Sequence, residues 1–269
     1  MQVALYIRED DDSLHIGRIL RGALVDAGHQ IDEEHPEYVI FIGGDGTFLR
    51  AVHHYIEDIK RVKFIGIHTG TLGFFCDYEP ENALQVITDL EQQTITAKSY
   101  RLLEAHVDFS DHKETVYGVN EIRLENPFHT LICDVHIDDQ FLETFRGNGL
   151  NVAGVLGSSG YNKSLGGAVV EGELDALQLT EIAPISSNVF RSLGSSLLLS
   201  AKRHIHFKGR FPEAIVGYDY ATLPTHGPIK MEVFLSDLRV QLYHQNHHAY
   251  FKTMRETFVV DGAKKRVLR

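Results

Sequence analysis

The chain has 269 residues, of which 43% are apolar and 23% are charged, and its formal net charge is −11. This length allows one large or two ordinary domains, and the composition is typical of a globular protein. Neither nucleic acid nor an anionic membrane is expected as the main partner, because either would require a basic face. A small anionic ligand is not excluded, since backbone N–H groups and a few local cations can bind it.

No apolar run reaches about 18 residues, and the N-terminus lacks the basic region and cleavage site of a signal peptide. We therefore expect a cytoplasmic protein without a membrane partner. Cys76 and Cys133 lie far apart and outside any CxxC pattern, so two buried, reduced thiols are predicted. The 16 histidines show no zinc-ligand spacing, and no protein metal ligand is assigned.

The first hundred residues alternate between strand-like and helix-like periodicity, which predicts a βαβαβα order and a parallel sheet. Continuous apolar runs are typical of strands that are covered on both faces. The predicted segments are a strand at 3–7, a helix from an N-cap at Ser13 to about Ala27, a strand at 38–42, a helix from Thr47, a strand at 63–69, and a helix opened by Pro80 with Leu84, Ile87 and Leu90 facing inward.

After about Thr94 the apolar residues come in short, often alternating runs separated by turn signals, which predicts an antiparallel β-sandwich with a Gly/Ser-rich interruption at 154–167. The predicted fold class is thus an α/β N-terminal domain with a parallel sheet, followed by an antiparallel β-sandwich domain. The predicted limits are 1–97 and 98–248, with a partly helical segment at 249–269 that packs back on the first domain.

The sequence Gly43-Gly44-Asp45-Gly46-Thr47 lies between the second predicted strand and the next helix. Glycines let a backbone approach a ligand closely, and Thr47 can cap the helix, whose N-terminus offers N–H groups to phosphate. The motif is neither G-x-G-x-x-G nor a Walker loop, because it lacks Lys followed by Ser or Thr. We predict phosphate binding at Gly44, Gly46 and Thr47.

Asp45 is the unusual member of this turn, since a carboxylate repels phosphate unless a metal ion or a substrate hydroxyl lies between them. A general base that accepts a hydroxyl proton during phosphoryl transfer meets that requirement. The alternative is an aspartate that only stabilises the turn through side-chain hydrogen bonds.

Asn120 and Glu121 form a polar pair inside the strand-like segment VYGVNEIRL at 116–124. One interpretation is an ordinary strand with one exposed and one edge position. The other is a clamp for a ribose, in which the amide and the carboxylate accept hydrogen bonds from sugar hydroxyls.

The segment FRGNGLNVAGVLGSSGYNKSLGGA at 145–168 contains seven glycines amid apolar residues. Tyr161 can stack on a base, Ser159 and Asn162 can bind polar groups, and Lys163 can meet phosphate. A flexible surface loop is the alternative, against which the apolar content around the loop argues.

Taken in order, these motifs resemble the NAD kinase family, which transfers a phosphoryl group from ATP or polyphosphate to the 2′-hydroxyl of NAD. GGDGT alone also occurs in diacylglycerol and sphingosine kinases and, loosely, in phosphofructokinases, whereas the ordered set is more specific. The resemblance implies an α/β domain and a β-sandwich domain with the site between them. It covers nearly the whole chain through GGDGT at 43–47, HTGTLGF at 68–74, Asn-Glu at 120–121, FRGNGL…GSSGYNKSLGG at 145–167 and EIAPISSNVFRSLGSSLLL at 181–199.

The resemblance also implies residue roles, with Asp45 as the catalytic base for the 2′-hydroxyl. Gly46 and the helix start at Thr47 would face phosphate. The other implied NAD contacts are Phe74 near the adenine, the Asn120 and Glu121 pair, Ser159, Gly160, Tyr161 and Ser164 along the adenine and ribose, Arg146 and Asn148 at the nicotinamide end and a neighbouring subunit, and the backbone of Ala183.

The chain departs from the family pattern in the second half of this set. The family usually has an aspartate where Asn148 stands, so a charge near the nicotinamide is missing. Val155 replaces a proline and Gly160 an alanine, which leaves the loop less preorganised and should weaken binding. Ser159 replaces a threonine and keeps the hydroxyl, and the family's Asp-Gly or Asp-His becomes Asp219-Tyr220.

The leading hypothesis is therefore an NAD kinase that makes NADP from NAD with ATP or polyphosphate, with Mg²⁺ entering with the nucleotide. A homotetramer or homodimer is expected from the resemblance. One alternative is a non-catalytic or weakly active dinucleotide-binding paralogue, which the changed loop suggests. The other is a lipid or other small-molecule kinase that shares only GGDGT, against which the lack of a basic, amphipathic segment argues. The phosphate donor and the choice between NAD and NADH stay open.

Overall fold

A computed structural model of the chain describes residues 1–70, 73–211, 213–225, 228–245 and 250–260. The chain divides into two compact units. The first unit consists of Met1–Ser99 with the described part of Val240–Arg269, and the second consists of Tyr100–Arg239. The domain limits at 97 and 248 remain predictions, and part of the predicted segment 249–269 lies outside the described residues.

The first unit contains a parallel sheet with helices between its strands, as the alternating periodicity predicts. Its strand order is β2-β1-β3-β4, followed by residues 241–243 of the last strand, and every pair is parallel. The sheet and its helices share one apolar core, which includes Leu20, Ile40 and Ile65. The elements are β1 (Gln2–Ile7), α1 (Asp11–Asp26), β2 (Gln30–Ile31), β3 (Tyr38–Gly43), α2 (Asp45–His54), β4 (Lys63–His68) and α3 (Gln85–Glu91).

The second unit is built from two antiparallel sheets that share one core, which includes Leu103, Leu150 and Phe207. One sheet has the order β6-β5-β16-β13-β8-β9 and the other β12-β11-β10-β7-β14-β15. The predicted fold class is thus confirmed. The remaining elements are β5 (Ile95–Asp108), β6 (Lys113–Gly118), β7 (Glu121–Glu125), β8 (Leu131–Ile137), β9 (Gln140–Gly147), β10 (Gly149–Ala153), α4 (Tyr161–Ser164), β11 (Ala176–Ile182), β12 (Leu197–Ser200), β13 (Ile205–Arg210), β14 (Ile215–Tyr218), β15 (Ala221–Pro224), β16 (Pro228–Gln245) and, in the first unit, α5 (Tyr250–Phe258).

Two predicted helix starts are wrong. The N-cap of α1 is Asp10, whose carboxylate accepts the Ser13 N–H at 3.0 Å, while Ser13 itself is buried within the helix. Pro80 opens a 3₁₀ turn rather than the helix, and α3 begins only at Gln85. Leu84 therefore lies before the helical register and is 48% exposed, contrary to the prediction that it faces inward.

Both cysteines are buried and form no disulfide, as predicted. Burial raises the pKa of each thiol, and that of Cys133 to about 12, so neither is an activated nucleophile. None of the described helices is long and apolar enough to cross a membrane. Within the described ranges, no group of three or more His, Cys, Asp or Glu side chains is placed to hold a metal ion.

Candidate functional site

The GGDGT sequence forms the turn between β3 and α2. The helix begins at Asp45 with Gly44 as its N-cap, so the predicted helix start at Thr47 is wrong. The Thr47 hydroxyl accepts the Gly44 N–H at 3.2 Å, and the Thr47 N–H donates to the Gly44 carbonyl at 2.9 Å. A Cβ at Gly43 would overlap the Thr47 hydroxyl. Gly43 and Thr47 therefore build the turn, and phosphate binding by Thr47 stays a prediction.

Gly44 and Gly46 have no such structural requirement. A Cβ added at either position would meet no described heavy atom within 4 Å, and Gly46 is exposed in the first turn of α2. The N–H groups of a first helical turn lack intrahelical acceptors. The start of α2 thus leaves open space beside these two glycines, and phosphate binding there stays a prediction.

The Asp45 carboxylate is held by the backbone of Phe74 and Phe75. The Phe74 N–H lies 3.1 and 3.2 Å from its two oxygens, and the Phe75 N–H lies 3.3 Å from Oδ1. A Cβ at Gly73 would overlap the same carboxylate, so that glycine allows the contact. Burial raises the pKa of Asp45, and the two N–H groups and the charge of His68 partly offset this effect. The GGDGT turn is thus tied through Asp45 to residues 73–75.

His68 is a residue that sequence reasoning missed. It is buried at the end of β4, and its Nδ1 accepts the Gly70 N–H at 3.3 Å, which places the proton of the neutral ring on Nε2. Phe74 is half-buried, and its ring centroid lies 6.3 Å from that of Tyr250 and 5.5 Å from that of Phe258, both on α5. The contact of Phe74 with adenine stays a prediction.

In the second unit, Asn120 and Glu121 do not lie within one continuous strand, as their sequence had suggested. The strand is interrupted between β6 and β7 because the buried Asp219 carboxylate accepts the N–H groups of Val119, Asn120 and Glu121 at 2.8, 2.7 and 3.3 Å. Asp219 thus supplies the backbone acceptors that a neighbouring strand would have supplied. The polar pair is presented by an ordered turn.

Asn120 and Glu121 each carry a buried oxygen that no described residue satisfies, namely Asn120 Oδ1 and Glu121 Oε2. Glu121 is 6% exposed. Burial, with a smaller contribution from the charge of Asp219, raises the pKa of Glu121 to about 7, and the guanidinium of Arg123 acts in the opposite direction. Buried polar atoms without partners are uncommon and mark sites where a ligand can supply the missing hydrogen bonds.

The Gly/Ser-rich segment packs closely against Asn120, so its interpretation as a flexible surface loop is wrong. The Gly154 N–H donates to the Asn120 carbonyl at 3.0 Å, and a Cβ at Gly157 would overlap that carbonyl. Ser158 is buried and bonds to Val155 and Val170. The segment is a 3₁₀ turn, Leu156–Ser159, followed directly by α4.

The outward side of this segment carries the predicted nucleoside contacts. Gly160 and Ser164 are exposed, Ser159 is half-buried, and Tyr161 is 40% exposed with its ring 5.6 Å from the guanidinium carbon of Arg123. Asn162 is fully buried instead, where its Oδ1 accepts from Asn151 and Thr180 at 3.2 and 2.8 Å. Asn162 Nδ2 has no partner among the described residues, so the suggestion that Asn162 binds a polar group stays a prediction.

Arg146, Asn148 and Ala183 form a second group in this unit. The Arg146 guanidinium lies 4.2 Å from the centroid of the Phe190 ring. The Asn148 amide donates to the Asn126 carbonyl at 3.0 Å, which a carboxylate at this position cannot do. Ala183 has a φ of 45°, an uncommon conformation for a residue with a side chain. The described contacts thus give Asn148 a structural role in addition to the contact that the sequence predicts.

Two solved structures share the fold of these two units. The yeast NADH kinase complexed with NADH superposes with a TM-score of 0.82 at 18% identity, covering 97% of this chain and 89% of that one. An NAD kinase from Archaeoglobus fulgidus in complex with ATP gives a TM-score of 0.73 at 24% identity, covering 96% and 97%. At these identities the likeness establishes the fold.

Sequence comparison defines the family. Residues 8–95 match the model of the ATP-NAD kinase N-terminal domain and residues 119–194 that of the C-terminal domain. The NAD kinase of Latilactobacillus sakei is 33% identical over 99% of this chain and 100% of its own length, and that of Lysinibacillus sphaericus is 35% identical over 97% and 100%. The chain therefore belongs to the NAD kinase family of enzymes. Because the matches extend far beyond GGDGT, a kinase that shares only that motif is not favoured.

Proposed function

We propose that the chain is an NAD kinase, which transfers the terminal phosphoryl group of ATP to the 2′-hydroxyl of NAD and so produces NADP. The observation that carries this proposal is the pair of unsatisfied acceptors, Asn120 Oδ1 and Glu121 Oε2. Ribose hydroxyls supply donors for such a pair, and the exposed Tyr161 ring offers a stacking surface for a base.

Asp45 is the proposed general base. Its carboxylate is oriented by two backbone N–H groups, and its raised pKa brings its basicity closer to the working pH. In the reaction, the 2′-oxygen forms a bond to the terminal phosphorus while the bond from that phosphorus to the bridging oxygen of the donor breaks. The hydroxyl proton passes to Asp45, and ADP leaves.

The phosphates are proposed to approach the N-terminus of α2 at Gly44 and Gly46, where the fold leaves open space. Mg²⁺ is proposed to enter with the nucleotide. Its ligands would be mainly phosphate oxygens and water, which is the usual arrangement for this ion.

The other contacts that the sequence predicts belong to the same proposal. Ser159, Gly160, Tyr161 and Ser164 would line the nucleoside, and the outward side of their segment supports this role. We also propose that the dinucleotide contacts the remaining predicted residues, which are Phe74, Arg146, Asn148 and Ala183. We also expect a homodimer or homotetramer that works in the cytoplasm.

The test is formation of NADP by the purified chain with Mg²⁺, with either ATP or polyphosphate as donor and either NAD or NADH as acceptor. We expect turnover with at least one donor. NAD binding without product from any donor would instead support the non-catalytic alternative. Faster phosphorylation of a diacylglycerol than of NAD would support a lipid kinase.

A further inference from the structure

Arg123 contacts two residues of the candidate nucleoside site, Glu121 and Tyr161, although it belongs to none of the motifs that assign this site. Side chains alternate along a strand, so Glu121, Arg123 and Glu125 lie on the same face of β7. Arg123 Nη1 donates to Glu121 Oε1 at 2.8 Å, and Nε donates to Glu125 Oε1 at 3.0 Å. Nη1 also lies 3.3 Å from the Asp219 carbonyl. The arginine therefore links both carboxylates of its strand to the turn that presents Asn120.

The neighbouring strand is shaped to admit this side chain. Gly217 on β14 is paired directly with Arg123 across the sheet. A Cβ at Gly217 would lie 2.7 Å from Nη2 and 3.1 Å from Cζ, and the first distance is shorter than real Cβ contacts. Glycine at this position therefore lets the guanidinium lie against the backbone of β14. The ring of Tyr161 lies 5.6 Å from the same guanidinium.

The charges around Glu121 make its ionisation depend on Arg123. Glu121 is buried beside Asp219, a second carboxylate, and burial and that charge both oppose its ionisation. The other groups that face it are Arg123 and Glu125 on β7 and Tyr161 on α4, and among these Arg123 is the cation. Without it, a buried carboxylate beside a second carboxylate would keep its proton to a higher pH.

We infer that Arg123 is a positioning residue for the acceptor dinucleotide, which keeps the Glu121 carboxylate ionised and oriented and supports the Tyr161 ring against which the base stacks. The inference rests on the proposed function, in which Glu121 and Tyr161 contact NAD. It adds a residue outside every sequence motif to the determinants of NAD affinity.

The main test is Arg123→Met, which keeps the length of the side chain and removes the charge. We expect the KM for NAD to rise about tenfold or more, because a charge-assisted hydrogen bond to a binding group is lost. The kcat at saturating NAD and the KM for ATP should change by less than about twofold. The acidic limb of the pH profile, in which kcat/KM for NAD falls as the pH is lowered, should move to higher pH. The reason is that Glu121 then holds its proton more tightly.

Three further variants separate positioning from simple support of the fold. Arg123→Lys keeps the charge and should restore much of the affinity and of the pH profile. Gly217→Ala keeps Arg123 but displaces its guanidinium, so it should shift KM and the acidic limb in the same direction as Arg123→Met. The matched control is Arg203→Met, which removes an exposed arginine paired with Asp138 at 2.6 Å and should leave both quantities unchanged.

Calorimetric titration of each variant with NAD, without a phosphate donor, separates this inference from the proposed function. A wild-type chain that binds NAD but makes no NADP refutes the proposed function, and the dissociation constants then decide the role of Arg123. If the wild type is active and Arg123→Met leaves the KM for NAD and the acidic limb unchanged, the inference about Arg123 is overturned and the proposed function stands. If Arg123→Met does not fold, unchanged values in Gly217→Ala overturn it.

Discussion

Asp45 in the first unit and Glu121 in the second are both carboxylates whose pKa burial raises, yet they are held in different ways. Both oxygens of Asp45 receive a backbone N–H, so main chain alone fixes this group. Glu121 has one oxygen on Arg123 and another with no partner among the described residues. The proposed base is thus complete without a ligand, whereas the proposed binding group is completed by one.

This difference bears on which parts of the chain can vary. A contact made by backbone N–H groups survives most substitutions nearby, provided that glycine stays at position 73. Contacts made by side chains, such as that of Arg123 with Glu121 or of Asn148 with Asn126, change with each replacement. One departure from the family pattern, Asn148, lies in the second group, where the geometry depends on side chains.

The largest effect is expected from Asp45→Asn. If Asp45 accepts the ribose proton, kcat should fall about a thousandfold or more. Thermal stability should not decrease, because the amide oxygen can still accept the Phe74 N–H and a buried charge is removed. The measurements are NADP formation and thermal unfolding.

Asp58→Asn is the matched control for this experiment, since it removes an exposed carboxylate of the same unit that pairs with Arg61. It should leave kcat unchanged. Near-normal turnover of Asp45→Asn would mean that Asp45 only stabilises the turn. The contrast between a catalytic Asp45 and a ligand-binding Glu121 would then no longer hold.

The next largest effect is expected from Glu121→Gln, which tests whether the carboxylate with the unsatisfied oxygen binds NAD. Loss of a charged acceptor should raise the KM for NAD about 10- to 100-fold, since hydrogen bonds to charged groups contribute about 1.5–3 kcal/mol. In the wild type, kcat/KM for NAD should decline as the pH falls through about 7, where Glu121 takes up a proton. In the variant this decline should disappear. Glu114→Gln, at an exposed position on β6, should change neither quantity.

The same group makes a prediction for folding stability. The folded-state pKa of Glu121 lies above the ordinary value of 4.5, so the fold favours its protonated form. Its contribution to stability is therefore fully present below pH 4.5 and is lost as the pH rises through about 7. Chemical denaturation between pH 4.5 and 8 should show a smaller loss of stability in Glu121→Gln than in the wild type. Identical slopes would contradict the raised pKa.

Sequence alone predicts the parts of this molecule that depend on local patterns. The apolar runs of β3 and β4 specify buried parallel strands, and GGDGT follows directly where β3 ends. The interruption at Asn120 could not be predicted, because its cause is Asp219, about a hundred residues further along the chain. Arg123 left a weak signal in the alternation of charges at 121, 123 and 125. Its partner Gly217 could be identified only from the pairing of β7 with β14.

A smaller effect is expected from Asn148→Asp, which restores the residue that the family pattern has. The carboxylate cannot donate to the Asn126 carbonyl, so the free energy of unfolding should fall by about 1–3 kcal/mol. Asn188→Asp, at an exposed position, is the control and should have little effect. Stability is measured by denaturant unfolding. If Asn148→Asp leaves it unchanged, the hydrogen bond from the Asn148 side chain to the Asn126 carbonyl does not explain why this chain has asparagine at position 148.

The smallest effect is expected from Val155→Pro, which also restores a family residue but acts on the backbone. Val155 has a φ of −59°, close to the value that proline imposes, so the ring can be accommodated. Proline should reduce the freedom of the unfolded chain and stabilise the fold by about 0.4–1 kcal/mol. Because less of the segment is then left to order when NAD binds, the dissociation constant for NAD should decrease slightly.

The control is Val155→Ala, which changes the side chain without restricting φ and should improve neither stability nor NAD binding. Weaker NAD binding in Val155→Pro would mean that this segment must move to admit the dinucleotide, and the second unit would then differ from the first in mobility as well as in its unsatisfied acceptors.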